Sequence, residues 1–218
     1  MTRRLIIAAA ASLLMAGVLA TPASAAPAGQ FRFSTSGPGV DGFWSTFPAD
    51  GNYVANVVYT DTFVSAAEQA IEEDGTTFTD KFAFVDIFSY KIDRRGNFVF
   101  VSDTFGFAAG DDVSLSVARD LSSASLKATV ALSTCTERTC SDAGTGQLAG
   151  KWVATGPAVR VNGTTTITSP GFTETVRQKG TFRDASAVGS LDGAAFGASL
   201  YADINNTSFS DHFICHGC

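Results

Sequence analysis

Histidine and basic side chains are scarce in this chain, and each scarcity closes off a class of chemistry. The only histidines, His212 and His216, fall within the last seven residues. A hydrolytic triad needs a histidine that a buried carboxylate orients on a rigid element, and the ends of a domain are usually its least rigid parts. The patterns G-x-S-x-G, S-x-x-K and H-E-x-x-H and the phosphate-binding loop are absent, so no cofactor is implied. Lys and Arg number 15 against 21 Asp and Glu, an acidic balance that repels phosphate backbones and anionic headgroups. Nucleic acid is therefore excluded as a partner, and a membrane surface is disfavoured.

The first residues are laid out as a secretory signal. Arg3 and Arg4 precede an apolar stretch from Leu5 to Leu19, and Ala23-Ser24-Ala25 supplies the small side chains of a cleavage site. The apolar stretch is short for a membrane span, and Pro22 with an Ala/Ser cluster follows it directly. Cleavage after Ala25 predicts a secreted, extracellular protein with no membrane span after signal removal. It leaves residues 26–218 as a single domain, and losing Arg3 and Arg4 takes the net charge from −6 to −8. With 45% hydrophobic and 11% aromatic residues, that domain can bury a sizeable core.

Turn residues punctuate the rest, with alternating apolar stretches between them, and no βαβ rhythm appears. The expected fold is all-β: an antiparallel sandwich or barrel of about a dozen strands. The clearest hairpin runs from Lys81 to Phe107 around Asp93-Arg94-Arg95-Gly96-Asn97, a three-residue loop with Gly96 in the left-handed position. An unbroken register from that loop pairs Tyr90 with Phe100 and Phe88 with Ser102. It puts Phe82, Phe84, Phe88 and Phe100 on one face and Val85, Ile87, Val101 and Phe105 on the other, predicting a hairpin covered on both sides. Asn162-Gly163, Pro170-Gly171 and Asp192-Gly193 read as further hairpin turns. Ser65–Glu73 (SAAEQAIEE) is the one predicted helix, with a serine cap and an Asp74-Gly75 stop.

Candidate chemistry is thin. Cys135, Cys140, Cys215 and Cys218 are even in number, which in an exported chain predicts disulfides. Proximity favours Cys135–Cys140 and Cys215–Cys218; cross-pairing and a zinc site with His212 and His216 are the alternatives. Asp86 and Asp103 interrupt otherwise apolar faces of the central hairpin, on opposite sides in the unbroken register. Each needs a partner, either as a pocket acid or as a hydrogen-bonded structural carboxylate; Glu174 is in the same position, whereas Glu72-Glu73 and Asp111-Asp112 read as solvated loop acids. Trp44, in Gly42-Phe43-Trp44-Ser45, is a candidate stacking platform for a sugar or a packed core residue.

Gly156-Pro157, Ser169-Pro170-Gly171-Phe172, Gly180-Thr181-Phe182-Arg183 and Val188-Gly189-Ser190-Leu191-Asp192-Gly193 resemble uncharacterised exported bacterial all-β proteins. The Gly180–Ala185 element is also similar to plant barrel proteins of the dirigent and allene oxide cyclase kind, over too short a stretch to carry a residue across. Neither resemblance implies an activity. The expected function is a secreted, non-catalytic binding or structural domain whose partner is an extracellular protein, a glycan or a small apolar ligand. The alternatives are a barrel with a small apolar ligand in a Phe-rich interior and a hydrolase with paired carboxylates. N-terminal sequencing of the exported protein should begin at Ala26; a mature chain that retains Met1 or any of the apolar stretch contradicts the reading.

Overall fold

A computed structural model describes residues 30–215 apart from residue 74. The expected signal, His216 and Cys218 lie outside those residues. Eleven strands form one antiparallel sheet: β1 (Gln30–Ser45), β2 (Val58–Glu73), β3 (Thr76–Ile92), β4 (Phe98–Ala109), β5 (Val113–Val117), β6 (Ser123–Cys135), β7 (Cys140–Ala154), β8 (Val159–Ser169), β9 (Phe172–Leu191), β10 (Ala194–Ala195) and β11 (Ala198–Cys215). Hydrogen-bonded neighbours run β9, β11, β1, β2, β3, β4, β6, β7 and back to β9. The sheet thus closes into an eight-stranded barrel. Several strands overshoot the ring. The Thr76–Lys81 end of β3 pairs with β2 on one side only, and β8 pairs with β9 alone among the described residues. A six-stranded blade, β3-β2-β1-β11-β9-β8, therefore projects from the barrel.

Side-chain alternation decides what fills the ring. In β6, Ala124, Leu126, Ala128, Val130 and Leu132 are buried while Ser123, Ser125 and Lys127 are exposed. The lumen side of the other strands carries Val40, Val64, Ala66, Ala83, Val85 and Ile204. Two tryptophans cross it. Trp44 of β1 meets Trp152 of β7 edge-on at 6.2 Å, and each indole N–H donates to a backbone carbonyl on another strand: Trp44 to Ala187 at 3.1 Å, Trp152 to Asp41 at 2.9 Å. Gly42 provides the room, since a Cβ there would sit 2.2 Å from the Trp44 ring. An eight-stranded ring is just wide enough for its own side chains, and these fill it.

The Asp93 loop forms as expected. Gly96 has φ 83°, and the Asp93 side chain accepts from the Arg95 and Asn97 N–H groups at 2.7 and 2.9 Å. The register then departs from the unbroken one. Tyr90 pairs with Phe100 but Ser89 pairs with Ser102, so Val101 bulges out of β4. Beyond the bulge Phe88 faces Asp103 and Asp86 faces Phe105, which moves Asp103 and Phe105 onto the face of Asp86. The predicted helix at Ser65–Glu73 is the far half of β2, paired with β3 along its length and with β1 except at Glu68 and Gln69. Helix propensity differs by only tenths of a kcal/mol per residue, and two flanking strands outweigh it. Gly75, at φ 84°, belongs to the β2–β3 turn that joins Glu73 and Thr76, not to a helix stop. Asn162-Gly163 is likewise no turn: it lies inside β8, opposite Lys179 and Gln178. Pro170-Gly171 closes that hairpin, and Asp192-Gly193 closes the next with φ 51° and 79°.

The central hairpin is enclosed on its lumen face, whereas its outer face is only partly covered apart from the buried Tyr90. Val85 and Ala83 are fully enclosed, whereas Phe84 and Phe88 are half-buried on the opposite side. Leu126→Ala should therefore destabilise by about 2 to 5 kcal/mol, and Phe84→Ala by clearly less, in urea unfolding. Equal losses would mean that the lumen is not the main core.

Candidate functional site on the outer sheet face

Following the register across β9, β11, β1, β2, β3 and β4 puts every phenylalanine except Phe47 and Phe196 on the face that points away from the lumen. Close ring pairs join them, as with Phe63–Phe84 at 6.5 Å, Phe88–Phe100 at 5.5 Å and Phe172–Phe213 at 5.4 Å. The face is only partly covered: Phe98 is 54% exposed, Phe78 47% and Phe105 39%. The Phe-rich interior expected for a ligand-binding barrel is thus replaced by a Phe-rich exterior around a filled lumen.

Carboxylates punctuate this aromatic face in pairs. Asp41 of β1 lies directly opposite Asp203 of β11, which in turn lies opposite Asp184 of β9. Both Asp41 and Asp203 are buried. Asn205 holds the two together, its amide N–H donating to Asp41 Oδ2 at 3.3 Å and to Asp203 Oδ1 at 3.0 Å. The Tyr201 hydroxyl donates to the other Asp203 oxygen, and Ser65 hydrogen-bonds to Asp41. Burial, then the charge of Asp203, push the Asp41 carboxyl up to about 7. Burial also raises Asp203, although the hydrogen bonds from Tyr201 and Asn205 pull it back.

The second pair is Asp86 and Asp103, diagonal across β3 and β4. Burial, then the hydrogen bond and charge of Asp103, raise the Asp86 carboxyl to about 7. One oxygen of each has no hydrogen-bond partner. A third pair sits on the blade, where burial and then Glu174 raise the Asp211 carboxyl. Asp61, Glu73, Asp80 and Asp184 complete the set. Across the outer face of β1–β4, β8, β9 and β11 these ten carboxylates share their side with no Lys, Arg or His, although the charge of His212 on the other side partly offsets the rise of Asp211. The opposite face of the same strands holds Arg32, Lys81, Lys91, Arg160, Arg177, Lys179, Arg183 and His212 against Glu68 and Glu72. The two faces of one sheet are thus segregated by charge.

Of the residues that the sequence singles out, the structure joins Asp86 to Asp103 through the bulge and places Glu174 beside Asp211. Trp44 is buried in the lumen, with no ring face open to a sugar. Cys135 and Cys140 form the expected disulfide at a Cα separation of 3.9 Å, a bond that fits an oxidising compartment and leaves neither as a zinc thiolate. Cys215 ends β11, and its expected partner Cys218 lies outside the described residues. His212 is tied into the polar face, where the Gln30 side-chain carbonyl accepts from its Nε2 at 2.7 Å and from Arg32 Nε at 2.9 Å. Among the described residues no cluster of three or more His, Cys, Asp or Glu could hold a metal. None of their helices is long and apolar enough to cross a membrane. Asp41, Asp203 and Asn205 went unnoticed in the sequence, although each stands at an alternate position to Val40 or Ile204.

No protein-family model matches the chain, and no curated protein sequence does. Among solved structures it is similar to one described as an acetoacetate decarboxylase-like enzyme from Sphingomonas wittichii RW1. That likeness has 10% identity, covers 88% of this chain and 94% of that one, and has a TM-score of 0.35; it carries no site residue across.

The raised carboxyls make stability depend on pH with a definite sign. Folded Asp41 and Asp86 keep protons that the unfolded chain releases above about 3.8, so the folded state binds more protons between there and about 7. Their contribution is complete below the lower value and lost as pH rises through the upper. Melting temperature should fall from pH 4.5 to pH 8, and Asp41→Asn should flatten that fall. A melting temperature that instead climbs over this range contradicts the buried pairs.

Proposed function

We propose that the protein is a non-catalytic binding module that uses its outer aromatic face to hold a cationic, partly apolar partner, such as the surface of another exported protein. The carrying observation is the composition of that face: phenylalanines interleaved with carboxylates outside the buried pairs, Asp184 exposed and Asp61, Glu73, Asp80 and Glu174 partly so, and no basic side chain. Aromatic faces attract cations through their quadrupole, and adjacent carboxylates strengthen the attraction. An exposed apolar patch rimmed by polar groups is also the usual mark of a docking surface.

The same geometry argues against the two alternatives. A ligand inside the barrel would have to displace Trp44, Trp152 and Leu126 from a filled lumen. A hydrolase with paired carboxylates needs a cleft with room for substrate between them, but Asp41 and Asp203 are buried and bound to each other through Asn205. Two depressions, about 280 Å³ beside Lys151 and Trp152 and about 580 Å³ between Phe100 and Arg138, are lined by none of the acid pairs.

Calorimetric titration with an amphipathic Lys/Leu peptide and its Glu/Leu counterpart tests the reading. The Lys/Leu peptide should bind, more weakly at high salt and more weakly to Phe78→Ser/Phe105→Ser, while the Glu/Leu peptide should not. Equal binding of both peptides, or of neither, would sink the proposal.

A further inference from the structure

Closing the barrel removes most strand edges, but among the described residues the blade keeps two. They are treated differently. The free stretch of β3, Thr76–Lys81, is short and ends in Asp80 and Lys81, with Lys81 held by Glu68 at 3.6 Å. Charges of this kind are how sheets blunt an edge against unwanted pairing. The other edge, β8, has no such device. It pairs with β9 over all eleven residues from Val159 to Ser169 without a bulge, contains no proline and carries one charge, Arg160. Its remaining residues are mainly Val, Ile and Thr, the types that favour strands. Val159 and Ile167 are 56% and 48% exposed.

We propose that β8 pairs antiparallel with β8 of a second copy about Thr164, forming a two-fold dimer with one sheet continuous through both blades. The sequence of β8 suits self-pairing. The register that engages all eleven residues has its two-fold axis at Thr164. It sets Val161 opposite Ile167 of the other copy, twice, on the outer face. On the inner face it sets Asn162 opposite Thr166 and Arg160 opposite Thr168. Residues that share a face stay on it, as a sheet without an odd-residue slip requires. Each exposed Ile167 gains an apolar cross-strand partner. The two Arg160 side chains end about 27 Å apart, eight residues at strand rise, beyond the reach of their repulsion at physiological salt. The contact is isologous and closes on itself, so it yields a dimer and not a fibre. It uses β8 backbone and does not depend on what the aromatic face binds.

The test is the mass in solution of the mature protein, measured by analytical ultracentrifugation with its variants. The native protein should sediment as a dimer at micromolar concentration. V161K/I167K puts lysine opposite lysine at two places and should weaken the dimer on the order of thirtyfold. V161K/I167E puts lysine opposite glutamate at the same two places and should restore it, which also controls for folding. Under mild oxidation, Thr164→Cys should form a disulfide between copies. A monomeric native protein overturns the proposal. So does a dimer that V161K/I167K leaves intact, one that V161K/I167E fails to restore, or one that Thr164→Cys does not cross-link.

Discussion

The narrow lumen is the constraint on which the rest of the architecture depends. Eight strands enclose a channel that their own side chains fill. Here two tryptophans and a set of Val, Ala and Leu residues occupy it, with Gly42 giving Trp44 its space. The phenylalanines clustered at one parity of β3 and β4 could not all have entered such a channel. Alternation sends one parity inward and the other outward, so a chain with small residues at one parity and phenylalanine at the other builds a thin-cored barrel with an aromatic exterior. The polar outer side of β6 and β7, with Lys127 and Lys151 exposed, confines that exterior to one flank.

An aromatic flank changes what its carboxylates can do. Asp41 and Asp203 face away from the core yet lie buried among neighbouring side chains, and their charges find no basic group on the same face. The sheet meets the desolvation cost with hydrogen bonds from Asn205, Tyr201 and Ser65 and with retained protons. Asp86 and Asp103 have fewer donors, and each keeps an oxygen without a partner. Raised carboxyls of this kind also occur at catalytic sites, but catalysis needs a substrate seated between acid and base. On this face the acids are in contact with one another.

Much of the fold was legible because it depends on local turn chemistry. The Asp93 loop, Pro170-Gly171, Asp192-Gly193 and the Cys135–Cys140 pair all act within a few residues, and all stand where the residues place them. What could not be read was set by partners distant in sequence. Ser65–Glu73 has helix-forming residues, but β1 and β3 flank it. Asn162-Gly163 is a good hairpin signal, but Pro170-Gly171 lies seven residues on and β9 offers a longer partner. The bulge at Val101 is a shift of one residue with no composition signal, yet it reverses the side of Asp103 and so creates one of the acid pairs. The Phe-rich stretch invited the assignment of a core because burial normally follows apolarity; only the width of the lumen decides otherwise. The Asp41–Asp203 pair needed the β1–β11 register, which joins residues 162 apart.

The overshoot of the blade follows from the same division of labour. An isolated six-stranded sheet with one aromatic and one polar face would be exposed on both sides and poorly ordered. Here β1, β2, β3, β9 and β11 pass without interruption from the blade into the barrel, where the lumen side chains fix their spacing and twist. Register set in the barrel is carried into the blade, because the ladders β3–β2, β2–β1, β1–β11 and β11–β9 show no register shift between the two. That rigidity lets an open sheet hold phenylalanines, unpaired carboxylates and a bare β8 edge at fixed positions. In a loop, the same groups would need ordering each time they met a partner, at an entropic cost to affinity. The barrel is best understood as the part that is already paired, and the blade as the part left with surfaces to offer.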